Sequence, residues 1–71
     1  MATVRIKSIA AQYIMEDKDF EYIWTHLNED LPVMSLNFDD KGKLWSVAIF
    51  KPDGCISIFI KPNKVECEVK L

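Results

Sequence analysis

Apolar and polar residues alternate along most of this chain, and the period of the alternation changes twice. From Thr3 to Ile9 the period is two: Val4 and Ile6 fall on one side, Arg5 and Lys7 on the other, which predicts a first strand. From Asp17 to about Asn28 the period lengthens. Phe20, Ile23, Trp24, Leu27 and Leu31 recur three or four residues apart, as on one face of a helix. Asp17 is the expected N-cap, and Asp19 and Glu21 suit the positive end of the helix dipole. Glu29 and Asp30 would oppose the negative end and Pro32 cannot continue a helix, so it is expected to stop near Asn28. Residues 10–15 read either as an extension of the strand or as coil folded over a sheet face.

After residue 32 the period of two returns in four segments, 33–39, 44–51, 55–61 and 65–71, separated by turn signals. Asp40-Lys41-Gly42 predicts a three-residue loop with glycine in the left-handed position, pairing Phe38 with Leu44 and Leu36 with Ser46. Pro52-Asp53-Gly54 predicts the same, pairing Lys51 with Cys55, Phe50 with Ile56 and Ala48 with Ile58. Pro62-Asn63 predicts a two-residue loop, pairing Ile60 with Val65 and Ile58 with Cys67. The three registers agree on one face holding Met34, Leu36, Phe38, Leu44, Ser46, Ala48, Phe50, Ile56, Ile58, Ile60, Val65, Cys67, Val69 and Leu71. The small pair Ser46 and Ala48 leaves room for Phe20 and Trp24 of the helix. The opposite face then carries Trp45, Val47, Ile49 and Phe59.

These elements predict an α+β fold: a four-stranded antiparallel β-meander with one α-helix packed on one face and an N-terminal edge strand, in the order β-α-β-β-β-β. At 71 residues the chain is expected to form a single domain, residues 1–71. A hydrophobic share of 49% with a net charge of only -2 argues against disorder.

Charge is unevenly spread. Residues 1–40 hold eight acidic groups against three basic ones, and residues 41–71 hold six lysines against three acids. The strong basic excess typical of non-specific nucleic-acid binding is therefore missing. No apolar run approaches the roughly 20 residues that span a bilayer, and no signal-peptide pattern precedes the first strand. Two cysteines, Cys55 and Cys67, are too few for a disulfide scaffold. A cytoplasmic protein without membrane contact is the expectation.

Candidate chemistry is sparse. His26 is the single histidine, and no nucleophile motif accompanies it. His26, Cys55 and Cys67 are dispersed, so neither a metal site nor a cofactor is expected. The only glycines, Gly42 and Gly54, are explained by turns, which removes any phosphate-cradling loop. Asp17, Glu21, Glu29 and Asp30 flank the helix ends; they read as a solvated exterior or as an acidic contact surface for a basic partner.

The pattern is expected to specify a non-catalytic protein-binding module. It would be an inhibitor or accessory factor acting through an apolar outer face of Trp45, Val47, Ile49 and Phe59, in a homodimer or with another protein. By analogy of size and class alone, it fits small phage or mobile-element proteins that block a host or rival protein. Two alternatives use the same residues differently. Trp45 and Phe59 with flanking lysines could stack single-stranded nucleic acid, or the chain could be an enzyme subunit whose site a partner completes. If residues 9–15 instead fold over the outer face, Trp45 is internal and no such surface exists.

Overall fold

The computed structural model describes residues 2–71 apart from Gln12 and Ile14. The elements run β1 (Thr3–Ile9), α1 (Asp17–Thr25), β2 (Asp30–Phe38), β3 (Leu44–Lys51), β4 (Gly54–Phe59) and β5 (Val65–Lys70). One short helix and a five-stranded antiparallel sheet give the α+β class that the periodicity predicts.

The strand order, β4-β3-β2-β1-β5, departs from the expected meander in two ways. The N-terminal strand is not at an edge: β1 lies between β2 and β5. The strand after Pro62-Asn63 does not pair with β4 but crosses to β1, with Val4 opposite Val69 and Ile6 opposite Cys67. The turn itself forms. Asn63 is left-handed at φ 64°, and the N–H groups of Lys64 and Val65 donate to the Lys61 carbonyl at 3.0 and 3.2 Å. It sends the chain across the core rather than back along β4. The crossing is tied down where Ala10 N–H donates to the Lys64 carbonyl at 2.7 Å. It also places Val65 beside Val4, Ile6 and Ile9 in the core.

β2 serves two partners in turn. Its first residues, Asp30 to Pro32, pair with β1; from Val33 onward it pairs with β3. Pro32 stands at the change of partner, where a strand can do without one N–H. The sheet is continuous through this point.

The helix is shorter than expected. It ends at Thr25, with His26 as its C-cap, and its N-cap is Glu16 rather than Asp17, with no side-chain capping bond. Thr25 Oγ1 donates back to the carbonyls of Glu21 and Tyr22, and Asn28 turns the chain at φ 64°, a usual helix-stop conformation. Asn28 N–H then donates to the Ile6 carbonyl at 2.9 Å, fixing the helix end to β1. The other end is held by Lys51 Nζ, 3.0 Å from Asp19 Oδ1.

The largest correction concerns β3. Its inward residues are Val47 and Ile49, at 1% and 0% exposure, packed with Ile56, Ile58 and Ile23. Ser46, Ala48 and Phe50 face the other way, opposite Phe59, Ser57 and Cys55. Two local shifts reverse the expected face. First, Pro52-Asp53 is a two-residue loop pairing Lys51 with Gly54, and Gly54, at φ 152°, absorbs the geometry as the first residue of β4. Second, Phe38 pairs with Leu44 as expected, but Leu36 then pairs with Val47, so Trp45 is an extra residue on β3. Such a bulge switches the parity of the residues beyond it, here as far as Ser35 opposite Ala48; an extra residue at Met34 on β2 then brings Val33 opposite Ile49. Burying Val47 and Ile49 removes more apolar surface from water than burying Ser46 and Ala48 would, and that preference decides the register.

Candidate protein-contact face

The sheet has an inner face, covered by α1, and an outer face that divides into two chemically distinct halves. The β1–β5 half is charged and paired with itself. Arg5 Nε donates to Asp30 Oδ1 at 3.0 Å, Lys7 Nζ lies 3.1 Å from Glu68, and Lys70 Nζ lies 3.7 Å from Asp30. The Arg5 guanidinium holds the Asp30 carboxyl below its ordinary range, and the Lys7 ammonium does the same for Glu68.

The β3–β4 half is aromatic. Trp45 and Phe59 stack with ring centroids 5.5 Å apart and planes 25° from parallel. Each remains 47% exposed, and Phe50 at 45% lies further along the same side of β3. Between these rings the floor is small: Ser46, Ala48 and Ser57. Ser46 is buried and accepts a hydrogen bond from Asn37 Nδ2 at 2.9 Å. The Trp45 bulge builds this patch, for the extra residue brings the indole beside Phe59 on the neighbouring strand.

Of the expected contact residues, then, Trp45 and Phe59 are brought together and exposed. Val47 and Ile49 are not part of the surface; they lie in the core. Phe38 and Phe50, expected inside, are 55% and 45% exposed. The signal for this was present in the greater bulk of Val47 and Ile49 over Ser46 and Ala48.

Tyr13, from the segment that the covering reading lays over the patch, goes elsewhere. Tyr13 is buried in the inner core and its hydroxyl bonds to the Phe59 backbone. Burial pushes the Tyr13 phenol up in pKa, partly offset by the hydrogen bond from the Phe59 N–H. Gln12 and Ile14, which belong to the same expectation, lie outside the described residues.

The proposed acidic surface does not form one unit. Asp17, Glu21 and Glu29 are exposed, but Asp30 is committed to Arg5 and Lys70. His26 Nδ1 donates to the Tyr22 carbonyl at 2.8 Å and its ring stacks on Tyr22 at 4.1 Å, finishing the helix. Cys55 is exposed beside Phe50, whereas Cys67 faces inward opposite Ile6; both are free thiols. Among the described residues no three His, Cys, Asp or Glu side chains cluster as metal ligands, and no helix is long and apolar enough to cross a membrane. A depression of about 430 Å³ beside Ser8, Ala10 and Lys64 lies apart from the aromatic patch, with no aromatic side chain in its lining.

No family model, curated protein or solved structure matches the chain.

Proposed function

We propose that this protein is a non-catalytic protein-binding module, an inhibitor or accessory factor that occupies another protein's surface through the Trp45–Phe59 side of its sheet. One observation carries the reading: the outer face is ion-paired on β1 and β5 but leaves stacked aromatic rings half exposed on β3 and β4. A domain this small has little apolar surface to spare. Exposed, mutually stacked aromatic side chains are the groups that anchor interfaces, where a single truncation typically costs about 2 kcal/mol or more. Stacking already fixes both rings, so little side-chain entropy remains to be lost on binding. The partner is a different protein or a second copy of this chain.

The test is the double variant Trp45→Ala/Phe59→Ala. It should unfold as cooperatively as the wild type yet lose self-association in sedimentation velocity, or lose the proteins that the wild type captures specifically from a lysate. Unchanged sedimentation together with an unchanged captured set would overturn the reading.

A further inference from the structure

At the β2–β3 turn, Phe38 and Trp45 wall an open trough of about 380 Å³, lined otherwise by Asp39, Asp40 and Lys41. The trough adjoins the Trp45–Phe59 stack. Its walls are well positioned. Trp45 is backed by Phe59 at 5.5 Å, and the turn is closed by Asp39 N–H donating to the Lys43 carbonyl at 2.8 Å and Gly42 N–H donating to the Asp39 carbonyl at 3.0 Å. Asp39 Oδ1 accepts from the backbone N–H groups of Lys41 and Lys43, both at 2.9 Å, which fixes that carboxylate. Asp40 is exposed and makes no side-chain hydrogen bond among the described residues.

The lining residues are thus two aromatics, two aspartates, of which Asp39 is tied to its own turn, and one lysine. Aromatic faces attract cations, with tryptophan the strongest. They repel anions, as do the carboxylates. A purely apolar occupant would desolvate Asp40 without compensation. A guanidinium suits both kinds of wall: it is planar and weakly hydrated, stacks on rings, and gives paired N–H donors to a carboxylate. We propose that the trough seats an arginine side chain of the partner, so that the surface recognised through Trp45 and Phe59 is a basic one. This rests on the outer face being a contact surface. Lys41, on the rim, works against the incoming cation and weakens the site.

The probe is N-acetyl-arginine amide, titrated into isotope-labelled protein at constant ionic strength and followed by two-dimensional NMR. N-acetyl-citrulline amide, neutral and of nearly the same shape, is the control. Arginine should shift the Trp45 indole N–H and the amides of Asp40 and Gly42, exceeding citrulline by about fivefold or more, as a surface cation–π contact with a carboxylate would give. Asp40→Asn should reduce the arginine response by about threefold, and Lys41→Gln should increase it. The spectra report folding of each variant directly. Equal responses to arginine and citrulline, shifts centred elsewhere, or no response would each overturn the proposal. Partner capture lost in Trp45→Ala/Phe59→Ala, with no arginine response in the wild type, overturns the trough and leaves the contact face. The converse pair of results overturns the contact face and leaves the trough.

Discussion

The phenol of Tyr13 spans the backbone of Phe59, donating to its carbonyl at 2.8 Å and accepting from its N–H at 2.6 Å. β4 is an edge strand, and Tyr13 supplies to Phe59 what a neighbouring strand would otherwise provide. The same contact connects the core to the proposed surface, since the Phe59 ring on the far side stacks on Trp45.

Tyr13→Phe keeps the ring and removes both bonds. Leaving part-buried backbone groups unpaired should cost about 1–3 kcal/mol in urea denaturation, with a change in Trp45 indole environment as the end of β4 loosens. There is also a signature in pH. The Tyr13 phenol is raised in the fold, so its contribution is complete below the unfolded phenol value, about 10. It is lost as pH rises through the higher folded value. Wild type should therefore lose stability above about pH 10 more steeply than Tyr13→Phe does; parallel curves would show that Tyr13 is not responsible.

The β3 register is tested by truncation on its two sides. Ile49→Ala should cost about 2–5 kcal/mol, the usual range for a buried isoleucine. Phe50→Ala, on the half-exposed outer side, should cost markedly less. Comparable losses in urea titrations, or a larger one for Phe50→Ala, would mean that β3 is turned the other way.

The thiols should behave as opposite faces require. Cys55 is exposed, whereas Cys67 is partly buried and its thiol is pushed up in pKa by that burial. With a chromogenic disulfide reagent at neutral pH, Cys55 should react about tenfold faster or more, because the thiolate is the reactive species. Both thiols should titrate in denaturant. A monomer with no free thiols under those conditions would contradict the faces.

The ion-paired half of the outer face should weaken in acid. The Asp30 carboxyl is lowered in the fold, chiefly by the hydrogen bond from Arg5. Its contribution is present above the unfolded carboxylate value, about 3.9, and is lost as pH falls through the lower folded value. Asp30→Asn should melt lower than wild type at pH 7, and the difference should shrink toward pH 2–3. A difference independent of pH would assign the effect to packing rather than charge.

What the sequence determined by itself was local. The period of two in Thr3–Ile9, the 3–4 residue spacing from Phe20 to Leu27, and the turn residues at Gly42, Pro52 and Pro62 mark every element to within a few residues. Short-range sterics and side-chain periodicity set these features, and they need no distant partner. The Gly42 turn even fixed its register, with Phe38 opposite Leu44. What lay beyond local reasoning was decided by burial across the whole molecule. One fewer residue in the Pro52-Asp53 loop turned β3 over relative to β4, and the extra residue at Trp45 did so relative to β2 until a second extra residue, Met34, brought Val33 opposite Ile49. The expected registers agreed with one another despite being wrong there, because each was counted outward from its own turn and such a count does not register a bulge. β5 likewise had a turn that could have folded it back on β4, but it pairs with β1, where Val65, Cys67 and Val69 meet Ile9, Ile6 and Val4. Those choices placed Trp45 and Phe59 together on the surface and Val47 and Ile49 beneath it. They depend on the total apolar area each arrangement hides, a sum over strands that no single segment contains.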